Sequence, residues 1–317
     1  MAQELTTLFP MVQFKPDTWE IDEFDCASLF LLVGTERAML IDCGMGIGDL
    51  KGAVEKITDK PLIVVVSHNH PDHTGNCYQF PEVYLHPKEL EGRPLPFPAA
   101  KRREDIARIS SRQKGRLLSA FTMFRPYAFD LDVDLRDPAP GDPKPVFLPL
   151  TDGQKFDLGG GRIVTAYECP GHAPGEMMFL DEQTRSLFCG DALNYNLGIG
   201  ACPVETALRY LERMRDMADQ YDGIYNGHHD FRPLGLPLED DCLPNVIDLC
   251  HQILNGTYSM TEVPNFWGSG RLKLGSAPVK PTDGPVKGFD MDATTSKMIT
   301  KGRNFLGFNP NNIFEKK

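Results

Sequence analysis

Apolar residues come in short runs, rich in β-branched side chains and bounded by Gly, Pro, Asp or Asn, the punctuation expected of strands. Such runs cover residues 28–33, 38–41, 62–66, 83–85, 163–167, 177–180, 187–189 and 223–225. "TERA" (35–38) and "DEQTRS" (181–186) read as hairpin turns between neighbouring runs. Helical spacing appears between strands. Residues 204–220 place Leu208, Leu211, Met214 and Met217 three apart, and 243–255 gather Val246, Ile247, Leu249, Cys250, Ile253 and Leu254 on one face. The second of these stops at Asn255-Gly256. A short helix is expected after Gly75. Hairpins mixed with strand–helix alternation predict a layered α/β fold with antiparallel portions.

Two stretches break this rhythm. Residues 92–147 open with "GRPLPFP", run through a predicted helix carrying Ile106, Ile109, Leu117, Leu118 and Phe121, and close with "DPAPGDPKP". That is an insertion between proline-rich boundaries. Residues 259–317 are rich in Gly and Pro without a period and read as an irregular tail. The expected organisation is one domain over 1–258, with 92–147 as a helical cap on the substrate. The tail is expected to pack on the same domain.

Composition narrows the class. The chain has 317 residues, 41% hydrophobic and 24% charged, with no apolar run long enough to span a bilayer. Its start, "MAQELTTLFPMVQF", lacks the basic and apolar stretches of an export signal, and its eight cysteines are scattered without a C-x-x-C pair. A cytoplasmic protein with reduced thiols is expected. The net charge of −11 argues against a nucleic-acid partner. Charge is uneven, however: residues 101–125 carry eight basic residues against Glu104 and Asp105, a balance of +6. Five aspartates against Arg136 and Lys144 follow, a balance of −3. Either the helix is a solvated face paired to an acidic loop, or it is a cationic wall facing an anionic substrate.

The chemistry is concentrated after the run at 62–66, in "SHNHPDHTGN". His68 and His70 alternate along an extended segment, so both point to one side of a strand end. Asp72 and His73 follow where the chain turns. Imidazole and carboxylate together suit a borderline ion such as Zn²⁺. Four ligand-type residues at one strand end have no packing reason to be there. Three further strand ends carry the same residue types: His172 after "TAYECPG", Asp191 after "SLFCG" and His228 after "GIYNG". In each, a glycine lets the backbone turn sharply.

These stretches, with Asp42 in "MLIDCG", resemble the metallo-β-lactamase-fold hydrolases over roughly residues 28–230. The resemblance implies a four-layer αβ/βα sandwich with its site at one edge of two sheets, here with a helical insertion and an irregular C-terminal tail. It implies one metal on His68, His70 and His172, and a second on Asp72, His73 and His228, with Asp191 bridging both. Asp72 and Asp191 are then the catalytic carboxylates, and Asp42 orients a ligand or the loop from behind. Two Zn²⁺ are expected, with iron or manganese tolerated by the same ligands. His86, His229 and His251 match no ligand position and are assigned to structure or surface.

Five neutral imidazoles, two carboxylates and a bridging hydroxide set −3 against +4, leaving about +1 and lowering the pKa of bound water to ~7. No serine or cysteine nucleophile is required, so Cys169 and Cys189, beside ligand positions, read as core thiols. The "HTGN" and "GDA" segments are most similar to glyoxalase II-type thioesterases and related lactonases. His73 and His172 lie 172 − 73 = 99 positions apart, a gap stretched by the insertion. The tail offers no obvious basic helix for glutathione. Tyr195 either hydrogen-bonds a substrate carbonyl or is a core or rim tyrosine, and Arg112 and Arg116 are the candidate contacts on the insertion. The expected function is a dinuclear hydrolase that uses a metal-bound hydroxide on an ester, lactone or thioester of a small molecule, with oligomeric state open. A phosphodiesterase on the same site is the hydrolytic alternative. A mononuclear iron persulfide dioxygenase using His68, His172 and Asp191 is the alternative from another class.

Overall fold

A computed structural model of the protein describes residues 4–91, 95, 97–115, 130–228, 232–264, 273–274, 289–290 and 295–316. Two compact units emerge. The first takes the described residues of Met1–Tyr167, Met177–Gly190 and Tyr221–Pro237; the second takes those of Glu168–Glu176, Asp191–Gln220 and Leu238–Lys317.

The first unit contains a seven-stranded sheet in chain order: Met11–Lys15, Thr18–Asp22, Ser28–Val33, Ala38–Ile41, Leu62–Val65, Glu82–Leu85 and Val146–Pro149. Its first four strands pair antiparallel through tight connections. The last three are joined in parallel. Parallel pairing needs a crossover, and helices Leu50–Glu55 and Ala99–Gly115 lie within two of these connections. A five-stranded sheet runs in the order Gly223–Tyr225, Ser186–Phe188, Met177–Asp181, Ile163–Glu168 and Lys155–Asp157.

Side-chain alternation explains why the central strands read as unbroken apolar runs. Phe30, Leu32, Met39, Ile41 and Val65 face one way and meet Val164, Ala166, Phe179, Phe188 and Tyr225 in one core between the sheets. Leu29, Leu31, Leu40 and Val64 face the other way and pack with Ala53, Val54 and Ile106. Strands buried on both faces cannot alternate in polarity. Each such Leu or Phe contributes roughly 1.5–3 kcal/mol of burial.

The second unit holds helices Val204–Asp216 and Cys242–Leu254, which pack together. It also holds a sheet in the order Asn196–Ile199, Asn304–Phe308, Thr295–Lys301 and Thr261–Pro264. The tail is therefore more regular at its end than its Gly/Pro content suggested. Asn304, Leu306 and Phe308 are buried in alternation, while glycines at 302 and 307 hide the strand pattern from a sequence reading. A second difference lies near Gly75. The helix precedes it, as Pro71–Thr74, and a single 3₁₀ turn, Cys77–Gln79, follows. Pro71 suits the first helical position, where its missing N–H costs nothing. Gly75 is needed for closeness, since a Cβ there would lie 2.1 Å from the Met45 carbonyl carbon. No helix of the described residues is long and apolar enough to cross a membrane.

Candidate metal centre

In the first unit, the parallel strands bring their carboxyl ends to one side. Asp42 ends Ala38–Ile41 in the left-handed region (φ 67°), a conformation Asp tolerates better than most residues. Its Oδ1 accepts from the Ser67 amide (2.7 Å) and its Oδ2 from the Ser67 hydroxyl (2.9 Å) and His73 Nδ1 (2.9 Å). Since the carboxylate only accepts, His73 carries a proton on Nδ1, and its buried Nε2 is the ring atom on the Asp72 side. The Ser67 hydroxyl, having given its proton to Asp42, accepts from His68 Nδ1 at 3.0 Å. One buried carboxylate thus holds the His73 tautomer directly and, through Ser67, favours a proton on His68 Nδ1.

His68 Nε2 lies 2.9 Å from His70 Nδ1, so the two rings either share a proton or can share a cation. His73 Nε2 lies 3.8 Å and His228 Nε2 3.4 Å from Asp72 Oδ2. Asp72, His73 and His228 therefore present ligand atoms within 4.8 Å of one another. His228 follows strand Gly223–Tyr225, where the Gly227 amide donates to Gly190 O (2.7 Å) and Gly227 O accepts from the Ser28 amide (2.7 Å). Around this ligand cluster, Asn69 is tied to Glu89, whose Oε2 accepts from the Asn69 amide at 2.8 Å. Buried Glu23 accepts from the amides of Met45, Gly46 and Ile47, holding the loop that follows Asp42. Burial pushes the Glu23 carboxyl up to about 8 against the opposing pull of those amides.

The second unit carries the other two ligand-type residues. His172 Nδ1 donates to Gly198 O (3.0 Å), and its Nε2 lies 3.6 Å from Asp191 Oδ2. Fully buried Glu176 joins their two loops: Oε1 accepts from the Asp191 amide (2.8 Å) and Oε2 from the Ala173 amide (3.2 Å).

These donor sets fit a metal. Bonds of ~2.0–2.1 Å in tetrahedral geometry set neighbouring ligand atoms ~3.3 Å apart. The separations of 2.9, 3.4, 3.6 and 3.8 Å straddle that spacing. In His68, His73 and His172 the Nδ1 atom bonds the scaffold, and Nε2 is the atom turned towards another ligand-type residue. Ser67, Glu176 and Glu23 were missed as supports; Ser67 stands inside the quoted "SHNHPDHTGN" and Glu176 four residues after His172, but nothing in the sequence says whom they bond.

The remaining candidates divide. Tyr195 is 3% exposed, and its hydroxyl accepts from the Glu239 amide and Arg303 Nη2, both at 2.8 Å. Those bonds account for a buried tyrosine at that position. On the insertion, Arg103 pairs with Asp132 (2.8 Å) and Arg136 hydrogen-bonds Asp142 (3.2 Å). Buried Arg102 donates to the carbonyls of Met45 (2.8 Å) and Arg136 (2.9 Å). This portion of the basic run is paired to its acidic neighbour and to the backbone. Arg112 falls within helix Ala99–Gly115, but its side chain, like Arg116 and His229, lies outside the described residues. His86 Nδ1 accepts from the Lys88 amide (3.2 Å), and His251 lies near Glu212 (3.5 Å), structural and surface positions as expected. All eight cysteines are buried thiols, and burial pushes Cys169 well up, away from nucleophilic use.

The fold and these ligand clusters define a class of metalloenzyme. Residues 24–229 match the family described as Metallo-beta-lactamase superfamily, and the chain belongs to that superfamily. It is a hydrolase, and its fold implies a divalent metal. Among similar proteins is the Acyl-coenzyme A thioesterase MBLAC2 of Homo sapiens, 26% identical over 75% of this chain and 85% of that one. The Lactamase-like protein ptaB of Pestalotiopsis fici is 23% identical over 68% of this chain and 51% of that one. Of solved structures, the stereoselective inverting sec-alkylsulfatase Pisa1 from Pseudomonas sp. shares the fold (TM-score 0.51). It is 14% identical over 78% of this chain and 42% of that one.

Proposed function

We propose that the protein is a dinuclear metal-dependent thioesterase acting on acyl-coenzyme A. In this reading His68, His70 and His172 hold one divalent ion, Asp72, His73 and His228 hold the other, and Asp191 contributes to both. Two zinc ions are the expected occupants, and when bound they supply Lewis acidity and lower the pKa of water at the site. The chain's own residues do the positioning. Asp42 keeps a proton on His73 Nδ1 directly and, through Ser67, favours one on His68 Nδ1. Glu176 fixes the Asp191 and His172 loops. The observation that carries the proposal is this enforced tautomer, because a histidine held by hydrogen bonds through Nδ1 is arranged to give Nε2 to a ligand.

The choice of a thioester within the wider ester, lactone or thioester class rests on the similarity to the acyl-coenzyme A thioesterase over most of both chains. An anionic coenzyme would suit the basic insertion, with 92–147 covering the substrate and Arg112 and Arg116 as its contacts. Buried, unbridged thiols suit the cytoplasm. The test is elemental analysis of purified protein with a panel of acyl-coenzyme A thioesters, lactones and phosphodiesters. Two zinc per chain with thioester turnover is expected. One iron with oxygen uptake, or turnover of phosphodiesters alone, would overturn it.

A further inference from the structure

Arg232 and Glu20 form a buried ion pair beside the His228 loop, 2% and 0% exposed. The guanidinium is bidentate on the carboxylate, with Nη2 to Oε1 at 2.7 Å and Nη1 to Oε2 at 2.9 Å. Its remaining donors go to the loop. Nε donates to Asn226 Oδ1 (2.8 Å), Nη2 to Asn226 O (3.1 Å) and Nη1 to Leu236 O (2.9 Å). Glu20 also accepts from the Gly235 amide at 2.6 Å. Glu20 itself is locked in register opposite Phe30 and Val12 in the seven-stranded sheet. One side chain therefore ties both the main chain and the side chain of the residue two before His228 to the sheet.

Stability does not explain this arrangement. A buried ion pair contributes little net stability over well-packed apolar residues of the same volume. What it supplies is direction. The planar fork fixes Asn226 from one side, while Ser28 and Gly190 hold the next residue, Gly227, from the other. We propose that Glu20 and Arg232 are positioning residues that aim His228 at Asp72, and so set the affinity of the ion held by Asp72, His73 and His228. The proposal rests on the dinuclear reading above.

The test uses the full chain, stripped with a chelator and titrated with Zn²⁺ against a chromophoric competitor. Co²⁺ absorption reports coordination at each step. The variants are Arg232→Lys, which keeps the charge and loses the fork, Glu20→Gln, and the double Glu20→Met/Arg232→Met. The control is Asp181→Asn, which breaks another buried pair, Arg162–Asp181 (2.6 Å). Loss of such ligand support typically weakens metal binding 10–100-fold. Wild type should take two zinc ions. Arg232→Lys and the double variant should weaken one of them by about 10–100-fold and leave the other within about twofold. Asp181→Asn should melt lower with both affinities unchanged. Should the double variant fail to fold, Arg232→Lys and Glu20→Gln decide. Variants that melt lower yet bind both ions as wild type does make the pair structural only and overturn the proposal. A wild-type chain that binds a single ion overturns the dinuclear reading and this proposal with it.

Discussion

Asp42→Asn tests the tautomer argument with almost no change in volume. Asn tolerates the left-handed backbone at φ 67° as Asp does, so strain is not added. The carboxylate accepts on both oxygens, from the Ser67 amide on Oδ1 and from the Ser67 hydroxyl and His73 on Oδ2. An amide has one oxygen. If that oxygen takes the place of Oδ2, the NH₂ group meets the Ser67 N–H donor at 2.7 Å. If it takes the place of Oδ1, the NH₂ donates to His73 Nδ1 and drives the proton to Nε2, the atom needed for the metal. Either orientation loses a charge-assisted bond of about 1.5–3 kcal/mol. A 10–100-fold loss of metal affinity, typical for such support, corresponds to ~1.4–2.7 kcal/mol, so the two routes agree. Competition titration of the stripped variant should therefore give weaker zinc at the His73 site by at least tenfold. Unchanged affinity for both ions would refute the claim that Asp42 sets the His73 tautomer.

Glu176→Gln should weaken zinc binding by about 10–100-fold, because one of its two amide bonds must fail; a lower melting temperature with unaltered affinity would contradict this. Glu23 gives a pH signature. Unfolded, it has lost its proton above about pH 4.5, whereas burial lets the folded chain keep it to about 8. The folded state thus binds one proton more across that window, and Glu23 lowers stability as pH rises through it, by up to about 1.4 kcal/mol per pH unit. Denaturant melts should show Glu23→Gln with a more positive slope than wild type between those limits; parallel curves would dispose of the idea. Reversing Arg112 and Arg116 to Glu should raise KM for an anionic thioester at low salt and less so at high salt, where screening falls to a few ångströms. Equal KM at every salt concentration would leave those arginines a solvated face.

The candidate ligand residues stood out in the sequence because four such side chains at one strand end have no ordinary packing role. Glycine-bounded strand ends repeat the pattern at His172, Asp191 and His228. Strands such as Ser28–Val33 and Ala38–Ile41 were legible because burial on both faces writes a continuous apolar run. Strands Met11–Lys15 and Thr18–Asp22 were not, since Glu20 and Asp22 interrupt the pattern with buried carboxylates. Glu20 makes sense only with Arg232, 212 positions away. The supports of the site share this property: Asp42 with Ser67, Glu23 with the 45–47 amides, Glu176 with Asp191. Each is a long-range or loop-to-loop bond whose partner the local sequence does not name.

The central claim is hydrolysis by water at a metal site, and one isotope measurement meets it directly. Zinc-loaded protein is incubated with an acyl-coenzyme A in ¹⁸O-enriched water, beside a chelator-stripped sample and a stripped sample given zinc again. The account predicts one solvent oxygen in the fatty-acid carboxylate and free coenzyme A thiol in equal amount, lost on stripping and recovered with zinc. Thioester cleavage that persists in stripped protein, or product that carries no solvent oxygen, would contradict it.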